Sequence, residues 1–106
     1  MKYMNNAIKK AQEFVIKVNE SGIPVVNASV FGSFSKGTET ADSDIDVCII
    51  SPNFGDDYIG DMVNLRKISL KIDSRIEPIA FSPTDFSDPY NALASEVKKY
   101  GVSLKV

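Results

Sequence analysis

The chain has 106 residues, a net charge of -2, 43% apolar and 25% charged residues, which is the balance of a soluble protein with one core, and we read residues 1–106 as a single domain. With one cysteine and no histidine, it excludes a disulfide framework, a Cys/His zinc site and any histidine-based triad or general base. Lys and Arg are scattered, so no extended nucleic-acid surface is evident, and neither a signal-peptide core nor a membrane span of ~20 apolar residues is present; the expectation is a cytoplasmic protein with no membrane contact.

Taken in order, Met4, Ala7, Ile8, Ala11, Phe14, Val15 and Val18 recur at three to four residues and predict an amphipathic helix over 3–19, stopped by Gly22 and Pro24. VVNASVF (25–31) is rich in β-branched residues, ends at Gly32 and predicts a strand. Residues 33–43 suit a short helical turn and a loop, and DIDVCIIS (44–51) predicts a second strand stopped by Pro52. Cys48 lies in that apolar run, as a small buried residue does. Ile59, Met62, Leu65, Ile68 and Ile72 predict a second helix over 58–73. RIEPIAF (75–81) predicts a third strand, and Pro78 within it lacks a ladder donor, which points to a sheet edge or a bulge. A third helix is expected over 88–100, and 102–106 as a short final strand or tail. Helices alternate with strands, so the fold class is α/β (α+β), a small mixed sheet packed by helices.

The chemistry concentrates between Gly32 and Asp46. In a strand, residues i and i+2 share a face, so Asp44 and Asp46 project together with Cα atoms roughly 6.6 Å apart, near enough to share hard cations. An exposed acidic strand start is the plain alternative. Gly32-Ser33 ends a strand and opens a turn whose free N–H groups and hydroxyl suit phosphate; alternatively Ser33 is a simple helix N-cap. Two other motifs fail. Asp42, Asp44 and Asp46 mimic the start of a calcium loop, but Val47 and Asn53 stand where Gly and Glu are required. Gly32 and Gly37 have the spacing of a P-loop, but Thr38 and Glu39 follow in place of Lys and Ser/Thr. Glu77, a carboxylate in an apolar strand, is the candidate third acid, because an unpaired charge there is costly; an Arg75–Glu77 pair or a solvated edge strand would also account for it. Asp73, at a helix end, suits a turn role better. Lys36 is a candidate phosphate contact or a solvated loop lysine.

Gly32-Ser33, the ten residues 34–43, and Asp44-Ile45-Asp46 match without gaps the signature of the DNA polymerase β-like nucleotidyltransferases, and the chain resembles their minimal, single-domain bacterial and archaeal members. The resemblance covers residues 1–82, and the tail EVKKYGVSL resembles the ending of many minimal members. It implies the nucleotidyltransferase fold and two Mg²⁺ ions held by Asp44 and Asp46 with ATP or another nucleoside triphosphate as substrate. It also implies that Gly32 and Ser33 hold the triphosphate and that Glu77 serves as third metal ligand or base, although many members carry Asp there. Minimal members often pair with a helical HEPN protein as a toxin–antitoxin module, which implies AMP transfer from ATP to a tyrosine of that partner. The alternatives are transfer to a small molecule such as an aminoglycoside, whose enzymes usually carry a second domain, and a non-catalytic nucleotide- or partner-binding module.

Overall fold

The computed structural model describes residues 2–32 and 43–106. Helix α1 spans Lys2–Glu20, one residue longer at each end than its apolar spacing predicts. Ala7, Ala11, Phe14, Val15 and Val18 are buried along one stripe. The chain then turns at Gly22 with φ 96°, a left-handed value natural to glycine. Asn19 Oδ1 accepts a hydrogen bond from the Val25 N–H at 3.1 Å, which aims the chain at the sheet.

The described residues then form four strands: β1 (Asn27–Phe31), β2 (Ile45–Ile50), β3 (Ile76–Phe81) and β4 (Val102–Ser103). Their order across the sheet is β3-β2-β1-β4. β1 is antiparallel to β2 and to β4, whereas β2 and β3 are parallel. Helix α2 (Tyr58–Ser69) provides the crossover that the parallel pair needs, and α3 (Pro83–Ser87) and α4 (Ala92–Tyr100) lie between β3 and β4. This is the mixed sheet packed by helices expected from the alternation of elements.

Strand alternation divides the side chains between two layers. Ala28, Val30, Ile45, Val47, Ile49, Ile76 and Ala80 pack with the α1 stripe and with Leu65 and Ile68 of α2. On the other face, Phe31, Cys48, Ile50 and Phe81 pack with Ala94 and Val97 of α4, flanked by Ile79 and Phe86. Cys48 is buried, as its apolar setting predicts, and burial pushes its thiol up to about 12.

Pro78 lies on an edge strand, as its missing donor predicts. The Ile45 N–H donates to Arg75 O at 2.8 Å and the Ser51 N–H to Phe81 O at 3.1 Å, so odd-numbered positions of this segment face β2. The even-numbered ones face outward, and side chains occupy them. Arg66 donates to Ile76 O, the Ala80 N–H meets Met62 Sδ at 3.3 Å, and the Ser82 N–H donates to Tyr58 Oη at 3.0 Å.

The C-terminal half departs from its periodicity in two places. α2 stops at Ser69 rather than continuing to 73, and Ser69 Oγ donates back to Arg66 O at 2.8 Å, an alternative to helix propagation. The helix expected over 88–100 begins only at Ala92, and a short helix that the apolar spacing does not signal, α3, precedes it. Ser82 caps α3 by accepting from the Asp85 N–H, Asp88 is extended before Pro89, and Asn91 caps α4 by accepting from the Ala94 N–H at 3.0 Å. Among the described residues no helix is long and apolar enough to cross a membrane. Leu65 is fully buried in the larger layer, so Leu65→Ala is expected to cost about 3 kcal/mol, read as a lower urea midpoint at unchanged m-value.

Candidate active site

Asp46 is the second residue of β2 and stands in register with Phe31, the last residue of β1, and with Glu77 on β3. Directly opposed residues share a face, so strand pairing alone brings the end of the first strand, the acid pair and the proposed third acid to one end of the sheet. The strand begins at Ile45 rather than at Asp44. Asp44 is therefore an exposed residue at its mouth, whereas Asp46 is half-buried within it.

Gly32 follows Phe31 with φ 74°. A Cβ built there would lie 2.1 Å from Asp46 Oδ2, so the bare backbone of Gly32 packs against the Asp46 carboxylate. The two halves of the sequence motif, twelve positions apart in the chain from Gly32 to Asp44, thus meet in space. Ser33 and Lys36, with the helical turn expected over 33–43, lie outside the described residues apart from Ser43.

Burial raises the Asp46 carboxyl to about 6, helped by the negative charges of Asp44, Glu77 and Glu96. Glu96 belongs to α4 and was not anticipated; only the packing of α4 across this face brings it here. Glu77 pairs with Arg66 of α2 at 3.4 Å, with both side chains partly exposed. Arg75 instead clamps Asp73, with Nη2 at 2.8 Å from Oδ2 and Nε at 3.1 Å from Oδ1. The expected alternative of an Arg75–Glu77 pair is thereby replaced, while Asp73 takes the turn role foreseen for it and also accepts from the Arg75 N–H at 2.9 Å.

Among the described residues, no three acidic, histidine or cysteine side chains close into a cage that could hold a metal ion. The electrostatics nevertheless suit a hard cation. Asp46 sits half out of water in the field of three other carboxylates, and oxygen donors of this kind are what Mg²⁺ takes, usually one or two carboxylates together with phosphates and waters. The carboxylates gathered at this end of the sheet include the three expected from the sequence, Asp44, Asp46 and Glu77.

The family and the fold are shared with known proteins. Residues 8–102 match the nucleotidyltransferase domain family, and the chain belongs to it. Among solved structures, a Sulfolobus solfataricus protein assigned as a nucleotidyltransferase superimposes with TM-score 0.65 and 21% identity, covering 79% of this chain and 74% of that one. A toxin–antitoxin structure with AMP-PNP superimposes with TM-score 0.64 and 25% identity over 89% of this chain and 72% of the other. No curated protein matches the sequence.

Two outcomes follow. The native state holds the Asp46 proton up to about pH 6, whereas the unfolded chain releases it near the ordinary aspartate value of 3.8. The folded protein therefore binds more protons across that window, and its stability falls as pH rises from about 4 to 6. Asp46→Asn is expected to flatten that fall and to raise Tm at pH 8 in metal-free buffer, as read by thermal denaturation across the pH range. Gly32→Ala meets both a positive φ and the Asp46 carboxylate, and is expected to cost about 1 kcal/mol or more and to weaken any Mg²⁺-induced rise in Tm.

Proposed function

We propose that this nucleotidyltransferase is Mg²⁺-dependent and moves AMP from ATP onto a tyrosine hydroxyl of a helical, HEPN-type toxin, acting in the cytoplasm as the antitoxin of the pair, with residues 1–106 as one minimal catalytic domain. The observation that carries the reading is the register of β1, β2 and β3, which lines up Gly32, Asp46 and Glu77 at one end of the sheet. The likeness to a toxin–antitoxin structure with AMP-PNP supports both the nucleotide and the kind of partner.

In the proposed reaction, Gly32 and Ser33 seat the β- and γ-phosphates and Lys36 contacts them, so the triphosphate lies on the β1 side. Asp44 and Asp46, with Glu77, would hold the metal ions, which when bound would offset the charge of the triphosphate and of the departing pyrophosphate. The acceptor oxygen attacks the α-phosphorus, the bond from that phosphorus to the bridging oxygen breaks, and pyrophosphate leaves with the electron pair. The acceptor proton passes to Glu77 or to water at the same end of the sheet. Arg66 pairs with Glu77 at 3.4 Å and offsets part of its negative charge beside the acceptor.

The test is transfer of label from [α-³²P]ATP to the purified helical partner with Mg²⁺. Asp44→Asn and Asp46→Asn are each expected to lower the rate about 100-fold or more with an unchanged circular dichroism spectrum. If no nucleoside triphosphate supports labelling of the partner, while the Asp→Asn variants still bind and neutralise it, the catalytic reading is wrong and a binding module takes its place. Label appearing only on aminoglycosides would move the acceptor to small molecules.

A further inference from the structure

We infer that the groove along the outer flank of α2 and β3 seats the acceptor-bearing partner, and that this partner presents a helix whose apolar residues are flanked by carboxylates. The inference rests on the proposed active site. The groove has a volume of about 470 Å³, and its walls include Met62, Val63, Arg66, Lys67, Leu70 and the site carboxylate Glu77. Val63 and Leu70 are 49% and 54% exposed. They stand seven residues apart on α2 and its cap, two turns along one flank.

Its position follows from strand order. Across the sheet, the Gly32 turn ends β1, Asp46 lies on β2, Glu77 on β3, and Arg66 with the groove lies beyond. Neighbouring strands are about 4.8 Å apart, so these features form a row. In-line phosphoryl transfer places nucleophile and leaving group on opposite sides of the phosphorus. With the phosphates on the Gly32 side, the hydroxyl must enter from the β3 side, across this groove.

Its chemistry narrows the occupant. The outward Ile76 carbonyl is bonded to Arg66 and the Ala80 and Ser82 N–H groups to Met62 and Tyr58, and Pro78 has no N–H, so this edge has too few free donors to favour an added strand. The walls are largely aliphatic and carry two cations, Lys67 and Arg66, the latter paired with the lining Glu77, so they bear a net positive charge on a chain of net charge -2. A nucleic acid would find those cations but no aromatic platform among the lining residues. A helix with leucines at one-turn spacing and glutamates beside them matches both the walls and the charge.

The probes are a fluorescent synthetic helical peptide of about 18 residues with leucine at i, i+4 and i+7, flanking glutamates and a terminal tyrosine; the same peptide with lysine for glutamate; and a short single-stranded RNA. By anisotropy, the glutamate peptide is expected to bind about tenfold more tightly than the lysine peptide and to weaken with salt. Val63→Asp with Leu70→Asp should weaken it about tenfold, and Lys67→Glu should do so in a variant that keeps the apolar wall. The thermal shift with Mg²⁺ and AMP-PNP should be unchanged in both groove variants and lost in Asp46→Asn. If the wild type shows no nucleotide shift, the active-site reading fails, separately from the peptide result. Absent peptide binding, equal binding of the two peptides, indifference to the groove variants, or RNA binding lost in those variants overturns the groove assignment.

Discussion

The Asp46 carboxylate lies against the bare backbone of Gly32, in the field of three other acids and half out of water, and the arrangement of this end of the sheet depends on that contact. Burial and like charge both disfavour an ionised carboxylate, so the site is held together at an electrostatic cost by strands that are otherwise fully packed. Val47, Cys48 and Ile49 follow Asp46 directly and are wholly buried. The β2 backbone is fixed by pairing with β1 and with β3. A rigid, apolar strand thus holds a carboxylate where water alone would not place one, which is the condition under which a metal ion and a triphosphate gain most from binding.

Much of this was legible before the fold was known, for identifiable reasons. The α1 stripe, the alternation of strands and helices and the edge position of Pro78 follow from periodicity and from a missing donor. Gly32 and Asp46 could be expected to meet only through a motif, because no local rule says that residues on separate strands will touch. Glu96 was invisible, since its place depends on how α4 crosses the sheet and not on anything in its own neighbourhood. The partner of Glu77 was out of view for a similar reason: Arg75, the alternative close in sequence, is taken up by Asp73 across a turn, while Arg66, eleven residues away, arrives from another element. The two short C-terminal helices show the reverse case. Ser82-Pro83 and Asp88-Pro89 carry local stop and start signals that a search for apolar spacing passes over.

Helix α2 serves both sides of the molecule. Leu65 and Ile68 bind it to the core, while Met62, Arg66 and Tyr58, on its other flank, satisfy the outer edge of β3 with side-chain groups. An open edge strand invites pairing with other chains, and here that edge is closed by sulfur, guanidinium and phenol. The same closure leaves side chains, rather than backbone, as the means of recognition beside the site, and ties the orientation of Glu77 to the helix that would meet a partner.

The solitary thiol of Cys48 gives this fold a built-in reporter. It is fully buried between the sheet and α4 and its pKa is pushed to about 12, so in the closed protein it is both out of reach and in its unreactive protonated form. A thiol reagent can modify it only when α4 lifts from the sheet or the whole fold opens. Since α4 also carries Glu96 toward the acids, the rate of that single modification records how often this side of the site comes apart.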